Sequence, residues 1–209
     1  NTFGLAAATT TSGGVFVQNA NNGDISVTSL TTGPVTTNGL QSTGALTLQN
    51  FASNLIITDI AGTANDVNAT GKIILGAFGT LTIASSADVE TSLGAGSAID
   101  LVANDMDLSG TVTATTANAE VLLKASTVST AINLGATASG GLALLDTELN
   151  RIDADRVRIG DGTTTGDIAV VGNFTSAATF ADDFLSLQTT STGVINQTAG
   201  TLNLSAGGT

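Results

Sequence analysis

The chain has no cysteine, histidine, tryptophan or tyrosine and only one proline in 209 residues. Without cysteine the fold draws nothing from disulfides, which suits a chain that crosses an oxidising compartment unfolded. Without histidine and tyrosine, the groups that commonly share acid/base work with carboxylates are missing. Aromatic residues are 3% of the chain and all are Phe. A core with so few large rings fits a narrow, elongated cross-section better than a globule. Lys and Arg together number 5 against 17 Asp and Glu, for a net charge of -12 and a pI near 4.1. That balance disfavours nucleic acid and anionic membrane surfaces as partners and keeps a large exposed surface soluble. No apolar run approaches the roughly 18 residues that span a bilayer, so no transmembrane segment is expected. No charged, then apolar, then small-residue leader opens at Asn1. The chain is therefore expected to be a processed product or an excised piece of a longer precursor or repeat array.

What is present is aliphatic: 42% of residues are hydrophobic, enough for a continuous core. They recur in short units in which a small or polar residue precedes aliphatics two apart. Examples are Gly23-Asp24-Ile25-Ser26-Val27, Gly44-Ala45-Leu46-Thr47-Leu48, Gly71-Lys72-Ile73-Ile74-Leu75 and Gly166-Asp167-Ile168-Ala169-Val170. The first aliphatics fall at 25, 46, 73, 99, 121, 142, 168, 185 and 202, a mean spacing of about 22 residues, which is one coil of a parallel β-helix. Weaker alternating runs lie between them at Leu55–Ile57, Leu81–Ile83, Val112–Ala114 and Val157–Ile159. Alternation sends successive side chains to opposite faces, aliphatics inward and Thr, Ser, Asp or Lys to water. The expected fold is all-β: a single elongated right-handed parallel β-helix (β-solenoid) over residues 1–209, with about nine or ten coils and insertions in the longer intervals.

Clusters such as Asn19-Ala20-Asn21-Asn22-Gly23 and Thr163-Thr164-Thr165-Gly166 read as corners, with Asn and Gly supplying positive φ. The 25 glycines are scattered throughout, and each would cost a helix about 1 kcal/mol. A helical stripe occurs only over Leu142–Ile152, where Leu145, Leu149 and Ile152 accompany Asp146 and Glu148, and a short helical turn or a longer loop is expected there. Neither the stretch Asn1 to Gly13 nor Asn203 to Thr209 carries a recognisable cap.

The segment from Leu145 to Asp161, with its Glu148-Leu149-x-x-Ile152-x-Ala154 element, its strand ending Ile159-Gly160 and the following Gly166-x-Ile168-x-Val170, resembles filamentous-haemagglutinin-like large adhesins of Gram-negative bacteria. The repeated aliphatic units resemble the same family with lower specificity. The resemblance implies a β-helix shaft, two-partner secretion or autotransporter export, an extracellular or cell-surface location, and roles in adhesion, biofilm or contact-dependent inhibition. The amino-terminal secretion domain of that family has no counterpart in these residues.

Some β-helices are polysaccharide lyases. Here the mixed-charge cluster is Glu148, Arg151, Asp153, Asp155, Arg156, Arg158 and Asp161, which reads as outward ion pairs, with Arg156 the residue to test for lyase chemistry. The Phe residues read as core, which removes the usual stacking platforms for sugars. Asp105-Met106-Asp107 and Asp153-Ala154-Asp155 each place two carboxylates on one side of a strand. Asp161 and Asp167 flank an oxygen-rich turn, and Asp153, Asp155, Asp161 and Asp167 are the weak calcium candidates. Calcium needs six to eight oxygens, so solvated acidic faces are the simpler reading and no other cofactor is expected. The Thr111-Val112-Thr113 type of face is too irregularly spaced for ice binding.

The sequence thus points to a non-catalytic adhesin or structural shaft that meets a host-cell, abiotic or neighbouring-cell surface. The second reading is a self-assembling filament or biofilm-matrix subunit, a homopolymer stacked end to end.

Overall fold

The computed structural model describes residues 2–5, 7–8, 13–32, 35–61, 65–114, 116–136, 140–175 and 184–203. Among them the fold is all-β and its sheets are parallel, as in a β-solenoid; the exception is one antiparallel hairpin, Ser29–Thr32 with Val35–Asn38. The longest sheet has seven strands: Val15–Asn19, Leu46–Asn50, Ile73–Ala77, Gly96–Val102, Ala119–Lys124, Arg156–Ile159 and Phe184–Leu187. A five-stranded sheet holds Thr2–Leu5, Asp24–Val27, Leu55–Ile57, Thr80–Ile83 and Asp105–Leu108. A six-stranded sheet holds Ala7–Ala8, Leu40–Ser42, Val67–Ala69, Asp88–Thr91, Thr111–Ala114 and Ile152–Ala154. From Ala131 onward, a four-stranded sheet of Gly141–Leu144, Ala131–Leu134, Ile168–Val170 and Ile195–Gln197 succeeds the five-stranded one. The chain takes the sheets in a fixed order, as in Leu46–Asn50, then Leu55–Ile57, then Val67–Ala69, then Ile73–Ala77.

Alternating aliphatics dictate this arrangement. In the seven-stranded sheet Leu46 and Leu48 pair with Ile73 and Leu75, and these with Ile99 and Leu101, all fully buried. The same inward column continues through Val121 and Leu123 to Val157 and Ile159. The inward positions of the six-stranded sheet run large then small: Leu40 with Ser42, Val67 with Ala69, Val89 with Thr91, Val112 with Ala114. That taper leaves no room for rings and explains the poverty in aromatics. The small hydroxyls satisfy corner carbonyls: Thr91 Oγ1 donates to Gly71 O at 2.7 Å and Ser42 Oγ to Ala45 O at 3.2 Å.

All nine sequence units form strands, but on different sheets. Ile25 lies in the five-stranded sheet, Leu142 and Ile168 in the four-stranded sheet and Leu202 in a two-stranded ladder with Phe174. Their mean spacing of about 22 therefore mixes faces that share one signature. Paired first aliphatics of the seven-stranded sheet are Val15, Leu46, Ile73, Ile99, Val121, Val157 and Leu185, with steps of 31, 27, 26, 22, 36 and 28 residues. The 31-residue step contains the Ser29–Asn38 hairpin, and the 36-residue step an additional strand and a helical turn. Within Gly96–Val102, a bulge puts Ala98 and Ile99 both inside and shifts the register between Ser97 and Ile99.

The expected helical turn is present as Asp146–Leu149. It follows Ala131–Leu134 and Gly141–Leu144, which are consecutive in the chain yet pair in parallel. One strand more than the usual alternation is thereby inserted, and Gly141–Leu144 packs against Asp105–Leu108 without joining its ladder.

Corners use two devices. Glycines permit backbones to touch: a Cβ at Gly44 would lie 2.6 Å from Gly13 O. Asparagine acts more through its side chain than through positive φ. Buried Asn50 Nδ2 donates to Gly23 O at 2.9 Å and Asn54 O at 2.7 Å, whereas Asn118 alone among the described asparagines has φ in the left-handed region. At the Asn19–Gly23 corner it is Gly23 that takes the positive φ, whereas the Thr163–Gly166 corner takes none and is held by Asp161, which accepts from Thr163 N at 2.8 Å. Of the stretches read as lacking caps, Asn1 to Gly13 contains the strands Thr2–Leu5 and Ala7–Ala8, and all of Asn203 to Thr209 but Asn203 lies outside the described residues.

Candidate functional surface

Among the described residues, the exposed rings and most of the cations lie on the outward side of the seven-stranded sheet or at the corners beside it. Outward positions alternate with the buried columns, so Phe16, Thr47 and Ile74 fall in one row and Gln18, Gln49 and Gly76 in the next. Gln18 Nε2 donates to Gln49 Oε1 at 2.8 Å, a rung of a side-chain ladder along the stack. Of the five Lys and Arg residues, Lys124, Arg156 and Arg158 lie in this sheet and Lys72 immediately precedes one of its strands.

The expectation that Phe fills the core is overturned. Phe174 is buried at 1% exposure, but Phe16 is 68% exposed, Phe51 51%, Phe78 55% and Phe184 69%. The remaining two, Phe3 and Phe180, fall where side chains are not described. The error came from treating Phe by type instead of by phase. Phe16 stands between Val15 and Val17 in the outward phase, and Phe51 and Phe78 follow strand ends at corners. Because Asn50 pairs with Ala77, Phe51 and Phe78 occupy equivalent positions on neighbouring strands. With Gly76, Ala77 and Val102 they line a groove of about 140 Å³. Gly76 opens its floor, where a Cβ would approach Gln49 Cγ at 3.2 Å.

The mixed-charge cluster does not pair within itself. Arg158 Nη2 meets Glu120 at 2.8 Å, Asp161 meets Lys124 Nζ at 2.6 Å, and Lys72 meets Asp100 at 2.7 Å, each across neighbouring strands. Arg156 reaches Asn118 Oδ1 at 3.4 Å, and Asp155 accepts the Asn118 amide. Two lysines distant in sequence thus each find an acid in the third dimension. Partly solvated pairs of this kind contribute about 0 to 1 kcal/mol each and mainly set register.

Glu148 departs from the outward reading: it is 8% exposed. Its Oε2 accepts Leu145 N at 2.8 Å and its Oε1 accepts Leu108 N at 3.2 Å. Burial, and then the charges of Asp107 and Asp105, push its carboxyl above the ordinary glutamate range, and the two amides only partly offset this. It lines a hollow of about 360 Å³ with Asp107, Ser109, Thr147 and Arg151. Both carboxylate oxygens are engaged by main-chain amides, so the group serves as a bracket for the backbone.

The calcium candidates are spread out. Asp153 is exposed on its strand, and Asp155 follows it half-buried. Burial raises and the Lys124 ammonium, the Thr163 hydroxyl and the Thr163 amide more strongly lower the Asp161 carboxyl, which ends far below the usual carboxylate range. Asp167 Oδ1 accepts Val194 N at 2.8 Å. Among the described residues, no three His, Cys, Asp or Glu converge as a metal site. Asp105 and Asp107 do share the exposed side of their strand, as alternation requires, with Met106 inside. Thr111 and Thr113 likewise face outward around buried Val112.

No helix among the described residues is long and apolar enough to cross a membrane. Comparison of the chain with protein-family models, curated proteins and solved structures finds no match.

Proposed function

We propose that the chain is a segment of a right-handed parallel β-helix that acts as a non-catalytic display shaft of a secreted bacterial adhesin. The repeated sheet order supports the helix, and the strong preference of parallel crossovers for one hand supports its right-handedness. With seven strands in its longest sheet, the rod has about seven coils of unequal length and rises roughly 35 Å at about 4.8 Å per strand. The sequence resemblance around Leu145–Asp161 to filamentous-haemagglutinin-like proteins supports an extracellular, cell-surface setting.

The observation that carries the adhesive reading is the pair of solvent-exposed rings Phe51 and Phe78 at equivalent corners of neighbouring strands, with Phe16 and Phe184 also exposed on the same sheet. Rings at 51% to 69% exposure cost solubility unless a partner covers them, and aromatic residues are enriched at binding hot spots. The acidic remainder of the chain supplies that solubility. Weak apolar contacts repeated along a rigid rod add through avidity. Engagement of the Glu148 oxygens by amides and the scattering of the acidic candidates favour display over catalysis.

The test is adsorption of the purified chain to host cells, bacterial cells and polystyrene. The F51S/F78S variant should lose most binding while keeping its circular dichroism. Equal binding by both proteins rejects the aromatic surface, and cleavage of a uronic-acid polymer abolished by R156A rejects the non-catalytic reading.

A further inference from the structure

Exposed rings at Phe51 and Phe78 restore the stacking platforms that a core of Phe would deny to a sugar. Outward Gln49, Gly76, Val102 and Lys124 pair in turn along the seven-stranded sheet, and two residues beyond each stand Phe51, Phe78, Asn104 and Ser126. One column of corner residues thus runs along the stack as two rings, an amide and a hydroxyl, one per coil at about 4.8 Å. The strands that carry it are flanked on both sides, by Val15–Asn19 and by Arg156–Ile159, so the column has paired neighbours along its whole length. The backbone under the rings is pinned. Phe51 N donates to Asn19 O and Phe78 N to Asn50 O, both at 2.8 Å, and Asn104 Nδ2 donates to Phe78 O at 2.8 Å. Asn104 is itself fixed, its Oδ1 accepting Thr127 N at 3.0 Å. A platform held this way needs little ordering when a ligand arrives.

Gln49 supplies a donor to the groove between the rings. Its Oε1 accepts from Gln18, and among the described residues its Nε2 donates to none. That nitrogen lies beside the Gly76 floor, 3.5 Å from where a Cβ would stand. None of the described residues lining the groove carries a formal charge, and Lys124, further along the row, is held by Asp161 at 2.6 Å. A polyanion therefore gains no free cation here and meets a chain of net charge -12. Rings, an open donor and no charge suit a ligand with apolar C–H faces and hydroxyls at its rim. The groove, about 140 Å³, is smaller than the roughly 300 to 1,000 Å³ that enclose a whole small ligand. It takes one ring of a longer molecule lying along the column.

We propose that the groove between Phe51 and Phe78 binds a neutral hexose polysaccharide, with the apolar face of one sugar on the rings and a hydroxyl of that sugar accepting from Gln49 Nε2. The polymer runs along the stack, and its next units pass Asn104 and Ser126. The inference rests on the proposed display surface and deepens it by naming the class of ligand.

The test is migration of the 209-residue chain in native gels containing hydroxyethylcellulose, laminarin or mannan, with polygalacturonate as the charged control. At least one neutral polymer should retard the chain. F51S/F78S should lose the retardation. Gln49→Leu, which keeps both rings, should weaken it about three- to tenfold, the worth of one neutral hydrogen bond, while adsorbing to polystyrene as the parent does. Both variants should keep the parent's circular dichroism. No retardation by any neutral polymer, or retardation that F51S/F78S or Gln49→Leu leaves unchanged, overturns the proposal. Concentration-dependent sedimentation that F51S/F78S abolishes, with no retardation by the polymers, would assign the groove to a second copy and equally overturn it. A chain that adsorbs to surfaces but is not retarded loses this inference and keeps the display reading; retardation without adsorption to cells or polystyrene supports the inference and counts against that reading.

Discussion

The Leu108 amide donates to Glu148 Oε1 at 3.2 Å across 40 residues of chain, at the place where the five-stranded sheet stops and the four-stranded sheet begins. A backbone donor that would otherwise be orphaned inside the stack is met by a side chain. The helical turn Asp146–Leu149 is what carries that carboxylate into position. The second oxygen returns to Leu145 N and fastens the start of the same turn.

Glu148→Ala should therefore cost about 2 to 4 kcal/mol in urea unfolding, because it leaves two buried amides without acceptors. Glu148→Gln, which keeps one acceptor, should cost less.

The pH dependence of that site has a definite sign. The folded carboxyl is raised above its value of 4.5 in the unfolded chain, so the native state takes up the proton more readily. Its contribution is full below pH 4.5 and is lost as pH rises through the folded value. The stability of the parent relative to Glu148→Gln should fall from pH 4.5 toward neutrality, as read from urea midpoints. A flat difference contradicts the assignment.

Asp161 behaves oppositely. Its carboxyl is held below the unfolded value of 3.8 by Lys124 and Thr163 against the effect of burial, so it stabilises above that pH and the contribution disappears on further acidification. Lys124→Met should lower stability at pH 7 by about 1 kcal/mol and raise the midpoint of acid unfolding followed by circular dichroism.

Backbone proximity at corners predicts a contrast between glycines. Gly44→Ala puts a Cβ 2.6 Å from Gly13 O, with no flexible atom to yield, whereas at Gly162 the nearest neighbour is the Gln188 side-chain nitrogen at 3.9 Å. The first change should cost about 2 kcal/mol and the second should stay within about 0.5 kcal/mol, measured by thermal unfolding.

The Phe residues separate by phase. Phe174→Ala, at a site 1% exposed, should cost about 3 to 5 kcal/mol. Phe16→Ala, at 68% exposed, should change stability by less than about 0.5 kcal/mol while weakening adsorption.

Much of the strand content was legible in the chain. Ile-x-Val and Leu-x-Leu units mark strands because alternation is a local property, and each such unit quoted above forms one where described. The helical turn was legible for a similar reason: Leu145, Leu149 and Ile152 follow a different period. The surface was less legible. Counting Phe as a core type failed because exposure follows the phase of each residue relative to the inward column, and corner residues such as Phe51 and Phe78 have no phase to read.

By itself the sequence determined an all-β chain with a thin aliphatic core, since strand periodicity and the scarcity of rings depend on neighbours a few residues apart. Tertiary structure decided which strands share a sheet. Leu46, Leu142 and Leu202 look alike locally yet lie on three different sheets, and insertions of different length, such as the Ser29–Asn38 hairpin, erase any constant period. It also decided the partners of the few charges. Lys124 with Asp161 and Leu108 with Glu148 lie 37 and 40 residues apart, and only stacking brings them within bonding distance.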